Sequence, residues 1–238
     1  MYKYGVKFGD IHSYKDWGLL TKSRPVISAP EPRTIYIDIP ASDGQLDLTE
    51  SLTGDVKYKS RQIKTEFVVT EARSKWNYIF STVMNYLHGK KLKITFDEDL
   101  NHYYLGRVKV DELKSNIATS TIVISAEVDP YKYDVENSID PWKWDSFNFE
   151  EGVIREYANI DVSGELIFTI IGSRKKVIPT FIVNSSDGNG MNVTYDGKSY
   201  HLNDGVNMMS DIIIFDGSNT IIFNGNGTVS IEYRGGSL

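Results

Sequence analysis

Four histidines, a short acidic run and a pair of tryptophans are the residues with which this chain could do chemistry. His12, His88, His102 and His201 stand apart, none in an HExxH, HxH or HxxxH spacing. Such spacings are what bring two imidazoles onto one metal ion. Each histidine is therefore expected at a surface or in a loop. No GxSxG, Walker A or GxGxxG run occurs, so neither a nucleophile elbow nor a phosphate-cradling turn is encoded. The chain has no cysteine, which removes thiolate nucleophiles, disulfides and Cys-based zinc sites together. Asp97-Glu98-Asp99 is the densest group of acids in the first half. Calcium needs about six to eight arranged oxygens, and three acids in a turn are better read as a hydrated hairpin tip. Asp187-Gly188-Asn189-Gly190 shares letters with an EF-hand loop but lacks its spaced acids and downstream Glu; it reads as a turn. The expectation is no catalytic residue, no cofactor, no metal and no enzyme.

Trp142 and Trp144 need a different argument. Flat aromatic faces can stack on sugar rings, and they also anchor segments by burying large areas. Their neighbours are Pro130, Pro141, Phe147 and Phe149, which favours the second role. Both are expected to anchor an inter-domain connector.

The elements that must position these residues are mostly strands. The chain has 238 residues, enough for one large or two smaller domains. The net charge is −6, which disfavours a surface that tracks phosphates unless folding gathers cations locally. No stretch reaches the 18 or more apolar residues of a membrane span, and the N-terminus lacks the apolar core of a signal peptide. Thr34–Ile39 alternates so that Ile35, Ile37 and Ile39 share one strand face. Lys57–Arg61, Ile63–Val69, Leu92–Phe96, Tyr103–Leu113 and Ile117–Val128 read as further strands. Trp76, Ile79, Phe80, Val83, Met84 and Leu87 repeat at helical spacing. They predict one amphipathic helix over 71–88, capped by Thr70 and ended at Gly89.

The polar, turn-rich segment from Pro40 to Gly54 reads as a loop or an extended arm. Its residues Pro40, Ala41, Asp43, Gly44, Leu46 and Leu48 are candidates for an oligomer contact. After Asp129 an aromatic, acidic crossing segment leads into a strongly β half. Strands are expected there at Leu166–Ile171, Val177–Asn184, Met191–Tyr195, Lys198–Leu202, Ile212–Phe215, Thr220–Phe223 and Gly227–Tyr233, a spacing that favours a sandwich. Tyr195-Asp196-Gly197-Lys198 is the strongest hairpin signal. The fold class is mainly β. An N-terminal β-rich domain with one helix occupies 1–135, and a C-terminal β-sandwich occupies 136–238, including a connector at 136–151.

Several stretches together resemble a known family. Gly5-Val6-Lys7-Phe8-Gly9 leads to Trp17-Gly18-Leu19; Tyr103-Tyr104-Leu105-Gly106-Arg107-Val108 precedes Asp129-Pro130-Tyr131-Lys132-Tyr133; and Gly225–Gly236 closes the chain. The order resembles the distal tail proteins, the baseplate hubs of siphophages of Gram-positive bacteria. That resemblance implies a ring-forming N-terminal domain and a galectin-like C-terminal sandwich. It implies a homo-oligomer, a ring of six, joining the tail tube protein to a tail-associated lysin or fibre and to receptor-binding proteins. DNA passes through the channel of such a ring. It implies a virion tail-tip location after synthesis in the host cytoplasm, with no membrane involved, in a phage or prophage. Longer relatives carry inserted carbohydrate-binding modules, for which this chain has no room. Two other readings stay open: a carbohydrate-binding β-sandwich protein, and another tail tube or baseplate subunit.

Overall fold

The computed structural model describes residues 5–51, 53–141 and 155–238. They form two compact units. One takes the described residues of Met1–Asp99 and Tyr103–Lys132, the other those of Leu100–His102 and Tyr133–Leu238. Strands dominate both, as the composition of alternating Val, Ile, Thr, Tyr and Phe runs leads one to expect.

The first unit is built on an antiparallel sheet. Its elements are β1 (Val6–Phe8), β2 (Ile11–His12), α1 (Ser13–Trp17), β3 (Leu19–Thr21), β4 (Val26–Ile27), β5 (Tyr36–Asp38), β6 (Gln45–Asp47), β7 (Arg61–Val69), α2 (Trp76–Leu87), β8 (Lys91–Phe96), β9 (Asp99–Ser115) and β10 (Ser120–Val128). The strand order is β2-β1-β8-β9-β10-β7-β3, with β4 also on β7. Alternation decides which side chains are buried. Ile63, Phe67, Val108, Val110, Ile122, Ile124, Ala126 and Val128 point to one face, which α2 covers with Trp76, Ile79, Val83 and Leu87.

The helix starts later than its sequence suggests. Arg73–Lys75 is a 3-10 turn and the α-helix begins at Trp76. Thr70 does not cap it. The Thr70 hydroxyl and amide both donate to the Gly18 carbonyl, at 2.8 and 2.9 Å, tying the end of β7 to β3. The indole of Trp76 donates to the Glu71 carbonyl at 2.9 Å and holds the entry turn instead. At the other end Gly89 has φ +80°, a conformation suited to glycine, just past the last helical residue.

The short helix α1 has no ordinary signal. Its cap is His12, whose Nδ1 accepts from the amides of Tyr14 and Lys15 at 3.1 and 3.2 Å. Gly18 ends it at φ +64°, where a Cβ would lie 2.9 Å from Glu71 Cγ.

The second unit contains β11 (Lys132–Asp134) from Tyr133 onward, β12 (Ile160–Gly172), β13 (Thr180–Ser185), β14 (Met191–Tyr195), β15 (Lys198–Leu202), β16 (Gly205–Met208), β17 (Gly217–Glu232) and β18 (Gly236–Ser237). The sequence reads this last region as two strands, Thr220–Phe223 and Gly227–Tyr233. It is one long strand that changes partner. Residues 222–224 pair with β14 and residues 227–232 with β13, while β12 runs along its other side from Gly217 to Val229. Gly225 and Gly227 sit at the switch with φ +154° and +140°. A Cβ on Gly227 would fall 2.3 Å from the Asn184 carbonyl oxygen. The glycines therefore serve close approach within a strand rather than a reversal.

Asp196 and Gly197, both at positive φ, do reverse the chain, and Tyr195 faces Lys198 across the hairpin. Ile212–Phe215 supplies only a bridge, between Ile214 and Val177. The unforeseen β16 pairs with β13.

Candidate interaction surfaces

The potential chemical groups are occupied in structural work. Asp97 accepts from Gly5 N at 2.9 Å and lies 3.1 Å from His12 Nε2. Glu98 faces Arg24 at 3.5 Å and Asp99 faces Lys132 at 3.1 Å. Each acid of the run thus has a basic side chain beside it. His88 Nδ1 accepts from Val110 N, and His201 bonds Asn192 across the β14–β15 pair. His102 lies 3.6 Å from Asp134, which also holds Arg155 at 2.9 Å. Asp187 accepts from the side chain and backbone of Asn189, bonds that hold its carboxyl below its usual range. Among the described residues no three His, Asp or Glu side chains are arranged to hold a metal ion. Trp142 and Trp144 lie outside the described residues.

The segment around Pro40 is more unusual. Strands β5 and β6 pair only with each other, with Ile37 opposite Leu46. The ladder continues as Leu48 N donates to the Ile35 carbonyl at 2.8 Å. Nearer the body, Lys59 N donates to the Glu31 carbonyl and Arg33 N to that of Lys57. The expected strand at Lys57–Arg61 is therefore only the start of β7 and a single bridge between Tyr58 and Pro32.

The expected strand at Thr34–Ile39 is present in shortened form, but its isoleucine face is not core. Ile35, Ile37 and Ile39 are 45%, 47% and 45% exposed, and Leu46 is 46% exposed. Pro40, Ala41, Asp43 and Gly44 form the exposed tip, with Ala41 and Gly44 at positive φ; Leu48 is half-buried. A lone two-stranded ribbon is only marginally stable in water. Four half-exposed aliphatic side chains on such a ribbon are suited to burial against another surface.

A second feature lies in the other unit. Tyr195, Lys198, Tyr200, Asp211, Phe215 and Ser218 line an open groove of about 470 Å³. The Tyr195 hydroxyl donates to the Ile213 carbonyl at 2.6 Å, and that of Tyr200 to Asp211 at 3.3 Å. Partial burial, then the charge of Asp196 and of Asp211 respectively, pushes both phenols up. Nothing in the sequence spacing points to this groove, because its lining comes from the β14–β15 hairpin, the segment 211–215 and the start of β17.

No protein-family profile matches the chain, and no curated protein matches its sequence. Among solved structures it is similar to the SPP1 Dit (gp 19.1) protein, described as a paradigm of the hub adsorption apparatus in phages that infect Gram-positive bacteria. The TM-score is 0.65 at 12% identity, over 97% of this chain and 98% of that one. The chain shares the Dit fold. The likeness to Dit extends over both units, and it agrees with the family resemblance read from the sequence.

Proposed function

We propose that this chain is a structural subunit of a phage tail tip, a hub that assembles as a ring of six. Residues 1–135 form the ring, and residues 136–238, with their connector at 136–151, form a galectin-like sandwich. The hub joins the tail tube protein to a tail-associated lysin or fibre, and to receptor-binding proteins. It is made in the host cytoplasm, ends in the virion, leads DNA through its channel and catalyses nothing.

The observation that carries this reading is the full-length fold likeness to an adsorption-hub protein. The unpartnered β5–β6 ribbon supports it further. A ring needs a heterologous contact, in which one patch meets a different patch on the next copy. A projecting ribbon with exposed Ile35, Ile37, Ile39 and Leu46 supplies the reaching half of such a contact. Solution mass with negative-stain imaging tests the ring, and deletion of Ala41–Thr53 tests the ribbon. Loss of the ring on deletion is expected; an intact ring would remove the ribbon from the contact.

One observation favours a second reading, a carbohydrate-binding β-sandwich. The groove beside Tyr195, Tyr200 and Phe215 combines aromatic rings with Asp211, Lys198 and Ser218, a mixture that suits small polar ligands. A glycan array with the intact chain, and with Tyr200→Ala, decides whether the groove is used.

A further inference from the structure

Net charge hides how this chain distributes its cations. The first unit contains 19 Lys and Arg against 17 Asp and Glu, and the second 7 against 15, which together give the 26 and 32 of the whole chain. Such asymmetry within an acidic protein points to a local cationic surface.

Strand alternation shows where that surface is. The face of the first sheet away from α2 carries Lys7 on β1, Lys91 and Lys93 on β8, Arg107 and Lys109 on β9, and Lys64 on β7, all exposed. The register makes them neighbours. Lys91 is opposite Arg107, Lys109 is opposite Ser125, and Ser125 is opposite Lys64.

Acids are sparse on this stretch. Glu127 accepts from the Ser60 hydroxyl at 2.6 Å, and Asp111, the extra residue of a bulge, lies 3.3 Å from Lys109. Beyond that bulge charges pair off, Glu112 with Lys114 at 2.7 Å and Glu66 with Lys22 at 2.8 Å. On the unbalanced stretch Lys93 sits 4.7 Å over the Tyr103 ring, and Arg107 donates to the Gly89 carbonyl. Lys7, Lys64 and Lys91 form no ion pair among the described residues. Like charges placed directly across a strand pair, as Lys91 and Arg107 are, destabilise a sheet, and Glu127, opposite Arg107 on its other side, offsets part of that cost. A partner anion removes the remainder.

We propose that this face binds the phosphodiester backbone of duplex DNA, without reading sequence. Adjacent strands lie about 4.8 Å apart and alternate residues about 6.7 Å apart, so the exposed cations form a grid on this face. Duplex DNA offers about one negative charge per 1.7 Å of axis, a density suited to engage several of them at once. Thr95, Gln62 and Ser125 share the face, and such neutral donors accompany Lys and Arg at phosphate contacts. The inference rests on the face alone and does not require the ring.

Fluorescence anisotropy of a labelled duplex of about 25 bp, titrated with the full chain between about 50 and 200 mM salt, tests it. Binding at the lower salt, falling steeply toward the higher, is expected. The triple variant Lys7→Gln, Lys91→Gln, Lys93→Gln should flatten the plot of log affinity against log salt by about 3, roughly 1 for each phosphate no longer engaged. The control triple Arg73→Gln, Lys75→Gln, Lys114→Gln should leave the slope unchanged. All six side chains are exposed, so each variant keeps the parent melting curve. No binding at the lower salt overturns the proposal. So does a slope that the first triple leaves intact. So does competition by poly-glutamate equal to that by unlabelled duplex, which would assign the face to an acidic protein instead.

Discussion

Replacing Ile35, Ile37, Ile39 and Leu46 together by serine separates an interface from a core. Each keeps about half of its side chain in solvent, 45–47%. Full burial of such a side chain stabilises by about 1.5–3 kcal/mol. The half still exposed is therefore worth about 1 kcal/mol at each position, or about 4 kcal/mol for the four. A decade of affinity corresponds to about 1.4 kcal/mol, so a contact that buries the ribbon should weaken about 100- to 1,000-fold. The melting temperature should move by no more than about 2 °C, because none of the four belongs to either hydrophobic core. Sedimentation velocity across a concentration series reads the assembly midpoint, and calorimetry reads the fold. An unmoved midpoint would refute the ribbon contact. A large drop in melting temperature would show that the ribbon is held by its own chain and is not a free arm.

Other consequences follow from the interior. Gly227→Ala should destabilise the second unit by several kcal/mol, on the order of the largest single-site effects, because its Cβ meets the Asn184 carbonyl oxygen at 2.3 Å; chemical denaturation measures this. Phe67→Ala, at a fully buried site, should cost about 3–5 kcal/mol, whereas Tyr78→Ala, 74% exposed, should change stability by about 0.5 kcal/mol or less. Arg61 is buried, its Nε and Nη2 find no acceptor, and its guanidinium lies 4.8 Å over the Tyr104 ring. Desolvation lowers its pKa, so Arg61→Met should hold or raise the melting temperature, as replacing an uncompensated buried charge by an apolar side chain generally does. Burial pushes the Tyr233 phenol well up, and its hydroxyl donates to the Ile171 carbonyl at 2.5 Å. A raised folded pKa means that the unfolded chain loses this proton first, so stability is full below about pH 10 and falls as pH rises beyond it. Tyr233→Phe should make the alkaline limb of a stability–pH profile shallower.

What the sequence reveals depends on whether a signal is local. The stripe Trp76, Ile79, Val83, Leu87 identifies α2 because burial against a sheet imposes helical periodicity on neighbours in the chain. Its start is not legible in the same way, since Thr70 finds a better partner in the Gly18 carbonyl, 52 residues away. The Asp196-Gly197 hairpin is legible because its turn chemistry is contained in two residues. Gly225 and Gly227 have the same letters as a turn, but their role is set by Met191 and Asn184, which sequence does not place beside them. The isoleucine alternation of residues 35–39 correctly suggests a strand and leaves its burial open, for alternation reports a face and not what covers it. The six cations of the first sheet are spread from Lys7 to Lys109, and only strand register gathers them.

The most direct test of the hub reading is the solution mass of the chain by light scattering over a concentration series, with negative-stain images of any large species. Closed rings of about six times the 27.0 kDa chain mass are expected. Open-ended tubes, or a chain that stays at 27.0 kDa at every concentration, would contradict it.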